Sequence, residues 1–507
     1  MPPVQPLVPP ANGATVRMYR QGHGDCFLLA FPRAGGGPPY YVMIDCGYKP
    51  GSQAFVDHKK PIGDIVKHLH AACGGHLDLA ILTHEHQDHL NGIWKSAKPY
   101  FEDFEIEEAW VAWTEDPDNA LANALRTRHK DQLLGLLAAR RELALAAGED
   151  DPAVSRLDAL LGFELGGGSE KLNMAEMLAA AEDPEKSVNK QAMRLIKDKA
   201  AARKGCFYLY PGIEPVALDG ADGIRAYILG PPESAELIAD EDPRDGEGFP
   251  QDHGISFAAA ARAPQGERSS PFRRHYFVPL EFAFESETPF FHERYGQGPG
   301  AADDRDRGEV AANAPWRRID DEWLYSAETL ALKLNTGINN TSLVVAFELP
   351  LSKKVLFFAA DAQRGNWFSW KDVTFRDGSS TITAKDLLGR AVLYKAGHHG
   401  SHNATLSGTA ADGTPNLAWM GQGAAAAEFT AMITAVNEWA MTKNSPPWVH
   451  PLPSIRAALD RKAQGRVFQT DENEPVKPPE TSAGEWKKFT DRSVFAELYF
   501  DWEVRDD

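Results

Sequence analysis

Apolar and polar positions fall into short strand-like bursts in the first and last parts of the chain, with a long stretch at helical spacing between them. Near the start, TVRMYR and FLLAF flank GHGDC, and the turn GGGPP separates FLLAF from YYVMIDCG. Two β-rich runs joined by a Gly/Pro turn predict a hairpin. PIGDIVKHLHAA (61–72) reads as a helix with Pro61 in its first turn. LDLAILT (77–83) is continuously apolar, as a buried strand is, and runs directly into HEHQDH. A strand ending in polar residues within such a β-α-β opening predicts a ligand site at that end. DFEIEEAWVAW (103–113) gives another strand.

From 115 to 204 the character changes to Ala, Leu, Arg, Glu and Lys. Leu121, Leu125, Leu133, Leu136, Leu137 and Leu143 recur near helical spacing, which predicts an inserted segment of two or three helices broken at GGGS (166–169). Strand signals return in CFYLYPG and IRAYILGPP. Residues 233–330 are polar and rich in Gly and Pro, and predict long loops, part of them a lid. SLVVAFEL (342–349), KVLFFAAD (354–361) and AVLYKAG (391–397) read as strands, the last meeting HHGSH. AAAAEFTAMITAVNEWAM reads as a helix, and SVFAELYFDWEV as one final strand. No tandem repeat is present. The expected organisation is a tail at 1–13, one α/β unit in two halves (14–114 and 205–507), and the helical insertion at 115–204.

Composition adds limits. A length of 507 residues with 43% hydrophobic and 25% charged positions is globular rather than disordered. The net charge of −19 argues against non-specific nucleic-acid binding, although bound cations would change the field inside a site. Four cysteines (Cys26, Cys46, Cys73, Cys206) without a C-x-x-C pair are read as free buried thiols of a reducing compartment. The opening MPPVQPLVPPANG has no basic and apolar regions of a signal peptide, and no run reaches a membrane span, so the expected location is cytoplasmic.

The densest chemistry is Thr83-His84-Glu85-His86-Gln87-Asp88-His89. On extended backbone His84 and His86 can point the same way, while Asp88 and His89 follow on a turn and can reach a neighbouring position. Imidazoles and a carboxylate suit zinc, manganese or iron. Three histidines and an aspartate so spaced rarely coincide in a solvated loop.

This segment is similar to the H-x-H-x-D-H signature of the metallo-β-lactamase superfamily. The resemblance implies a four-layer αββα sandwich and a hydrolase that uses a metal-activated hydroxide. It implies that His84 and His86 serve one metal, that Asp88 and His89 serve a second, and that Asp88 also orients the attacking water. Asp45, in VMIDCG, resembles the family's strand-end aspartate that supports the site without binding metal. Asp361, ending KVLFFAAD, resembles the aspartate that bridges the two metals. Gly397-His398-His399-Gly400-Ser401 resembles the last histidine motif; His399 precedes a glycine as the family ligand often does, and His398 is the alternative ligand or a substrate contact. His402 is a weaker candidate. The implied cofactors are two divalent ions, zinc in the first place and manganese as the alternative.

One departure stands out. Where many members carry a further histidine for the first metal, this chain reads NTGINNTSLVV, offering Asn335, Asn339 and Asn340 and no histidine. Asparagine or water would fill that place, with His253 as a substitute; His275, His292 and His450 are weaker candidates. In order along the chain, GHGDCFLL, IDCG, the H-x-H-x-D-H run, ILGPP, NNTSLVV, AAD, KAGHHGS and RVFQTDEN resemble the soluble hydrolase domain of bacterial competence DNA-uptake proteins and their stand-alone relatives. The likeness covers roughly half the chain, leaving out 115–204 and most of 233–330.

What the resemblance implies is hydrolysis of phosphodiesters in nucleotides or nucleic acid, an anionic substrate. Lys395 and Ser401 beside HHG offer phosphate contacts, Asn340 stands in the same group of supporting or substrate-side residues, and His23 in GHGDC either lines the site or belongs to a turn, the commoner role for such a segment. As ordinary residues, Lys395 would be a strand-end lysine and Ser401 a helix cap. The alternatives are hydrolysis of a non-phosphate ester or amide, and a partner-binding subunit with a weak or vestigial metal site. The insertion reads as a structural cap or as a contact to a protein partner or second copy. Its basic stretch, Arg126, Arg128, Lys130, Arg140 and Arg141, is either a solvated face or a guide for an anion.

Overall fold

The runs that read as continuously apolar become the inner strands. The computed structural model describes residues 4–94, 97–165, 174–249, 337–378, 380–442 and 448–507. In chain order the strands are β1 (Gly13–Tyr19), β2 (Cys26–Phe31), β3 (Tyr40–Cys46), β4 (His76–Leu82), β5 (Glu105–Ala112), β6 (Gly205–Leu209), β7 (Val216–Ala217), β8 (Arg225–Gly230), β9 (Val344–Glu348), β10 (Val355–Phe358), β11 (Thr374–Asp377), β12 (Ser380–Thr383), β13 (Ala391–Lys395), β14 (Thr430–Ile433), β15 (Val467–Gln469), β16 (Ser493–Phe495) and β17 (Tyr499–Arg505). Of the expected loop segment 233–330, residues 233–249 are described and include a short helix at Ala235–Ile238, while 250–330, with His253, His275 and His292, lie outside the described residues, as do Asn335 and the GGGS break.

Two large mixed sheets organise fifteen of these strands into an α/β fold, and β11 and β12 pair with each other apart from them. The first runs β16-β17-β1-β2-β3-β4-β5-β6 and the second β15-β14-β13-β10-β9-β8-β7. In each, one side is antiparallel and the other parallel: β3 to β6 in the first, β10 and β13 to β15 in the second. The faces meet in a shared apolar core, where Phe27 of β2 packs edge-on against Phe358 of β10 at 5.5 Å and Phe31 lies 5.8 Å from Phe347 of β9. The outer face of the first sheet packs on the helices Ile62–Ala72, Lys98–Asp103 and Val188–Ala201. That of the second packs on Arg364–Ser369, Ala384–Gly389 and Pro453–Lys462. Strands covered on both faces account for apolar runs without alternation, such as LDLAILT.

Among the described residues, four α-helices lie between β5 and β6: Ala120–Ala147, Pro152–Leu165, Met174–Glu182 and Val188–Ala201. The last is the crossover helix of a parallel pair. It buries Ala192, Met193, Ile196 and Ala200 on the first sheet, and Ser187 caps it by accepting from Lys190 N. The other three form the helical excursion proper.

Two sequence readings are corrected. The stretch 424–441 is a short 3-10 turn (Gly423–Ala427), then β14, then a helix at Asn437–Met441. Pairing on both sides with β13 and β15 overrides the helical preference of the alanines. The final run is a hairpin of β16 and β17, closed where Ala496 N donates to Tyr499 O at 3.0 Å. No helix among the described residues is long and apolar enough to cross a membrane.

Candidate metal centre

The two sheets bring their parallel strands to a common end. Asp45 closes β3, Thr83 and the histidine run follow β4, Asp361 follows β10, His398 and His399 follow β13, and Thr434 follows β14. Two backbone hydrogen bonds tie the sheets there: Leu343 N donates to Thr83 O at 2.9 Å, and Gly24 N to Thr434 O at 3.2 Å. The GHGDC turn lies against the histidine run, with Asp25 N donating to Asp88 O at 3.0 Å. That approach requires glycine at position 24: its φ is +144°, and a Cβ there would stand 2.5 Å from Asp88 O and 2.7 Å from Gly47 O.

The side chains converge on one oxygen. Asp361 Oδ2 lies 3.2 Å from His89 Nε2, 3.5 Å from His399 Nε2, 3.9 Å from His398 Nε2 and 4.0 Å from His84 Nε2. His84 Nε2 and His86 Nδ1 face each other at 3.1 Å, and His399 Nε2 lies 3.0 Å from Asp88 Oδ2. Ligand atoms of Asp88, His89, Asp361 and His399 all fall within 4.8 Å of one another, the spacing of a site for a single ion. All four residues are buried, as are His84 and His86. His398 sits at the rim, its side chain 18% exposed and its Nε2 3.4 Å from Asn339 Nδ2.

Surrounding groups fix these side chains. Asp45 takes Thr83 N at 2.8 Å and Thr83 Oγ at 2.6 Å, and its Oδ2 lies 2.7 Å from His89 Nδ1, so His89 presents Nε2 to the centre. Thr434 Oγ donates to Asp25 Oδ1 at 2.5 Å and stands 3.0 Å from His399 Nδ1, which turns His399 Nε2 inward. Ser342 Oγ lies 3.2 Å from His84 Nδ1 and accepts from Asp361 N at 3.2 Å.

A cation suits this centre on three observations. The donors are imidazoles and carboxylates. Asp88 Oδ1, His89 Nε2 and Asp361 Oδ2 are buried with no aligned hydrogen bond, although the last two face each other. The carboxylates are also held charged. Burial alone pushes Asp361 up, but His89, His399, Lys395 and His398 outweigh it and hold the acid well below its ordinary range. Burial likewise opposes the charge on Asp88, and Lys49, His399 and His89 override it. Burial pulls the His89 imidazolium down, while Asp361, Asp25 and Asp45 raise it well above the usual value. In His84 burial dominates, followed by the charges of His89 and His86, and the ring is held neutral, the form that binds metal.

Four of the seven described non-glycine residues with positive φ belong to this centre: Asp45 (53°), Ala360 (47°), His398 (42°) and His399 (55°). Such strain costs on the order of 1–3 kcal/mol per residue and persists where surrounding packing enforces it.

Several sequence expectations change here. Lys395 does not reach a substrate phosphate. Its buried Nζ pairs with Asp25 Oδ2 at 2.5 Å and Asp361 Oδ1 at 3.4 Å and donates to Ala360 O at 2.9 Å. Asp361 Oδ1 is taken up by Lys395, which leaves Oδ2 facing the imidazoles. Asn340 faces away from the centre: its Nδ2 donates to Ile238 O (3.1 Å) and Asp240 O (2.9 Å), and its Oδ1 accepts from Gln363 N at 2.9 Å. It braces the loop that carries Asp361. Ser401 is buried, and its backbone N donates to His398 O at 2.9 Å. His402 faces Asp242 at 3.5 Å. In the basic stretch, Arg140 is buried in a two-pronged pair with Asp158, and Arg126 donates to Thr114 O, so neither is a free guide for an anion.

Residues not singled out from sequence also contribute. Asp25 joins Lys395, Thr434 and His89. Lys49 Nζ lies 3.7 Å from Asp88 Oδ2, and burial pushes its pKa down to about 8 in spite of Asp88 and Asp361. His23 and His450, both named from the sequence, stack at 5.5 Å, and His450 stacks on Trp448 at 5.9 Å, forming a wall beside His399. The only available signal was Asp25 within the glycine-flanked GHGDC; nothing local marked Lys49 or Thr434.

Comparison with family models, with curated proteins and with solved structures finds no match for this chain.

Proposed function

We propose that this chain is a metal-dependent hydrolase with the αββα architecture of the metallo-β-lactamases, acting on phosphodiester bonds in nucleotides or nucleic acid. The observation that carries the reading is the position of Asp361 Oδ2, a single buried carboxylate oxygen facing imidazoles from both halves of the histidine run and from the loop after β13. His84 and His86 would hold one divalent ion, Asp88, His89 and His399 a second, and Asp361 would touch both. When bound, two such ions, zinc or manganese, polarise the scissile ester and lower the pKa of an attacking water.

The chain's own groups supply the rest. Asp88 Oδ1, buried and without a hydrogen bond, is placed to accept a proton from that water, while Lys49 keeps the carboxyl ionised. Asp45 and Thr434 set which nitrogen each of His89 and His399 turns to the centre. The partly exposed His398, with the His450–Trp448 stack, forms the side on which a substrate would rest. The acidic balance of the whole chain does not bar an anion, because the ions would reverse the local charge.

The test is hydrolysis of a bis-aryl phosphodiester and of a simple aryl ester, each with added zinc or manganese, with Asp361→Ala as the blank. Metal-dependent cleavage of the diester alone is expected. Cleavage of the aryl ester alone would move the assignment to a non-phosphate ester or amide, and cleavage of neither would favour the partner-binding reading.

A further inference from the structure

The helical excursion does more than cover the fold. Glu164, at the end of the helix Pro152–Leu165, is buried with its side chain 3% exposed. Its Oε1 lies 3.6 Å from His86 Nε2, and its Oε2 lies 3.4 Å from Nε2 of His129, on the helix Ala120–Ala147. Neither oxygen makes a hydrogen bond with aligned geometry. The opposite edge of the same imidazole, His86 Nδ1, faces His84 Nε2 at 3.1 Å. One ring cannot turn both nitrogens to one ion, so the two edges have separate partners: His84 on the Nδ1 side, the carboxylate on the Nε2 side.

A second contact reaches the same motif. Glu85, between the two histidines, pairs with Lys190 on the crossover helix, and Lys190 also donates to Glu115 at 2.8 Å. The segment 84–86 is therefore gripped on its outer side by two helices that precede β6. Among the described residues, the stretch where many family members carry the first metal's third histidine holds Asn339 and Ser342, facing His398 and His84.

Resting on the metal-centre reading above, we propose that Glu164 is a positioning residue for the first metal. Its carboxylate, 3.6 Å from His86 Nε2, favours the tautomer that carries the proton on that nitrogen and turns Nδ1 toward the centre, so the excursion partly compensates for the histidine that NTGINNTSLVV does not supply. Carboxylates behind metal-bound imidazoles act this way, and their removal weakens metal affinity by about 10–100-fold.

The experiment is zinc affinity, measured by competition with a chromophoric chelator, for the wild-type chain and four variants. Glu164→Ala is expected to weaken the tighter-binding part of the isotherm by about 10–100-fold. Glu164→Gln, which keeps an acceptor oxygen and loses the charge, should fall between it and wild type. His84→Ala should abolish that part of the isotherm. Arg140→Ala breaks the Arg140–Asp158 pair in the same helices without touching His86, and should leave the affinity unchanged. If His84→Ala loses zinc while Glu164→Ala binds as wild type does, the inference fails and the centre stands. An equal loss in Arg140→Ala and Glu164→Ala reduces Glu164 to packing and also overturns it. A wild-type chain that binds no zinc removes both readings. Should Glu164→Ala fail to fold, wild-type affinity in Glu164→Gln overturns the inference in its place.

Discussion

At the scale of single residues, the centre depends on backbone that few side chains tolerate. Asp45, Ala360, His398 and His399 hold positive φ, and Gly24 and Gly47 let the turns after β1 and β3 press against Asp88. Gly24→Ala adds a Cβ into Asp88 O and Gly47 O and places a side chain at φ +144°. The expected outcome is a loss of stability of about 1–3 kcal/mol in denaturant unfolding, together with weaker zinc binding. Wild-type values for both would mean that the GHGDC turn does not set the position of Asp88. The legible part of the centre was the run His84, His86, Asp88 and His89, whose spacing within six residues suggests a ligand set, together with Asp45, Asp361, His398 and His399, named by family resemblance; the structure brings these buried or nearly buried side chains together. Asp25, Lys49, Thr434 and Glu164 were not legible, because each is an ordinary residue in its own segment and gains its role only when strands far apart in sequence end side by side.

At the scale of elements, pattern and pairing diverge in specific places. LDLAILT was readable as a central strand because both of its faces are buried, whereas TAMI was hidden in an alanine-rich stretch and became β14 through its neighbours. The closing hairpin shows what local pattern omits: β17 returns from the far end of the chain to pair with β1 and completes the first sheet. Arg17 and Asp501 are direct cross-strand partners there, joined by two hydrogen bonds of 2.7 Å, and both are buried. Arg17→Met would leave the Asp501 carboxyl buried without its partner and should cost about 3–5 kcal/mol in urea unfolding. A cost under about 1 kcal/mol would show that water or a neighbour compensates, and that this pair does not hold β17 in register.

For the whole molecule, the two sheets carry their parallel strands to one end, and His84, His86, Asp88, His89, Asp361, His398 and His399 lie just beyond such strands. That shared end places residues 84–89, 361 and 398–399 together, although the helical excursion and a long polar segment separate them in sequence. The α/β class was legible because strand runs frame the chain; the role of the excursion was not, because its leucine spacing speaks only of helix packing and says nothing of Glu164 reaching His86. The central claim is that Asp361 joins two metal positions. Its most direct test is the metal content of zinc-loaded, dialysed protein, measured by plasma mass spectrometry for wild type and Asp361→Ala with far-ultraviolet circular dichroism as the fold control. About two equivalents in wild type, and a loss of at least one in the folded variant, is the predicted result. A folded Asp361→Ala chain with wild-type metal content, or a wild-type chain that holds none, would contradict it.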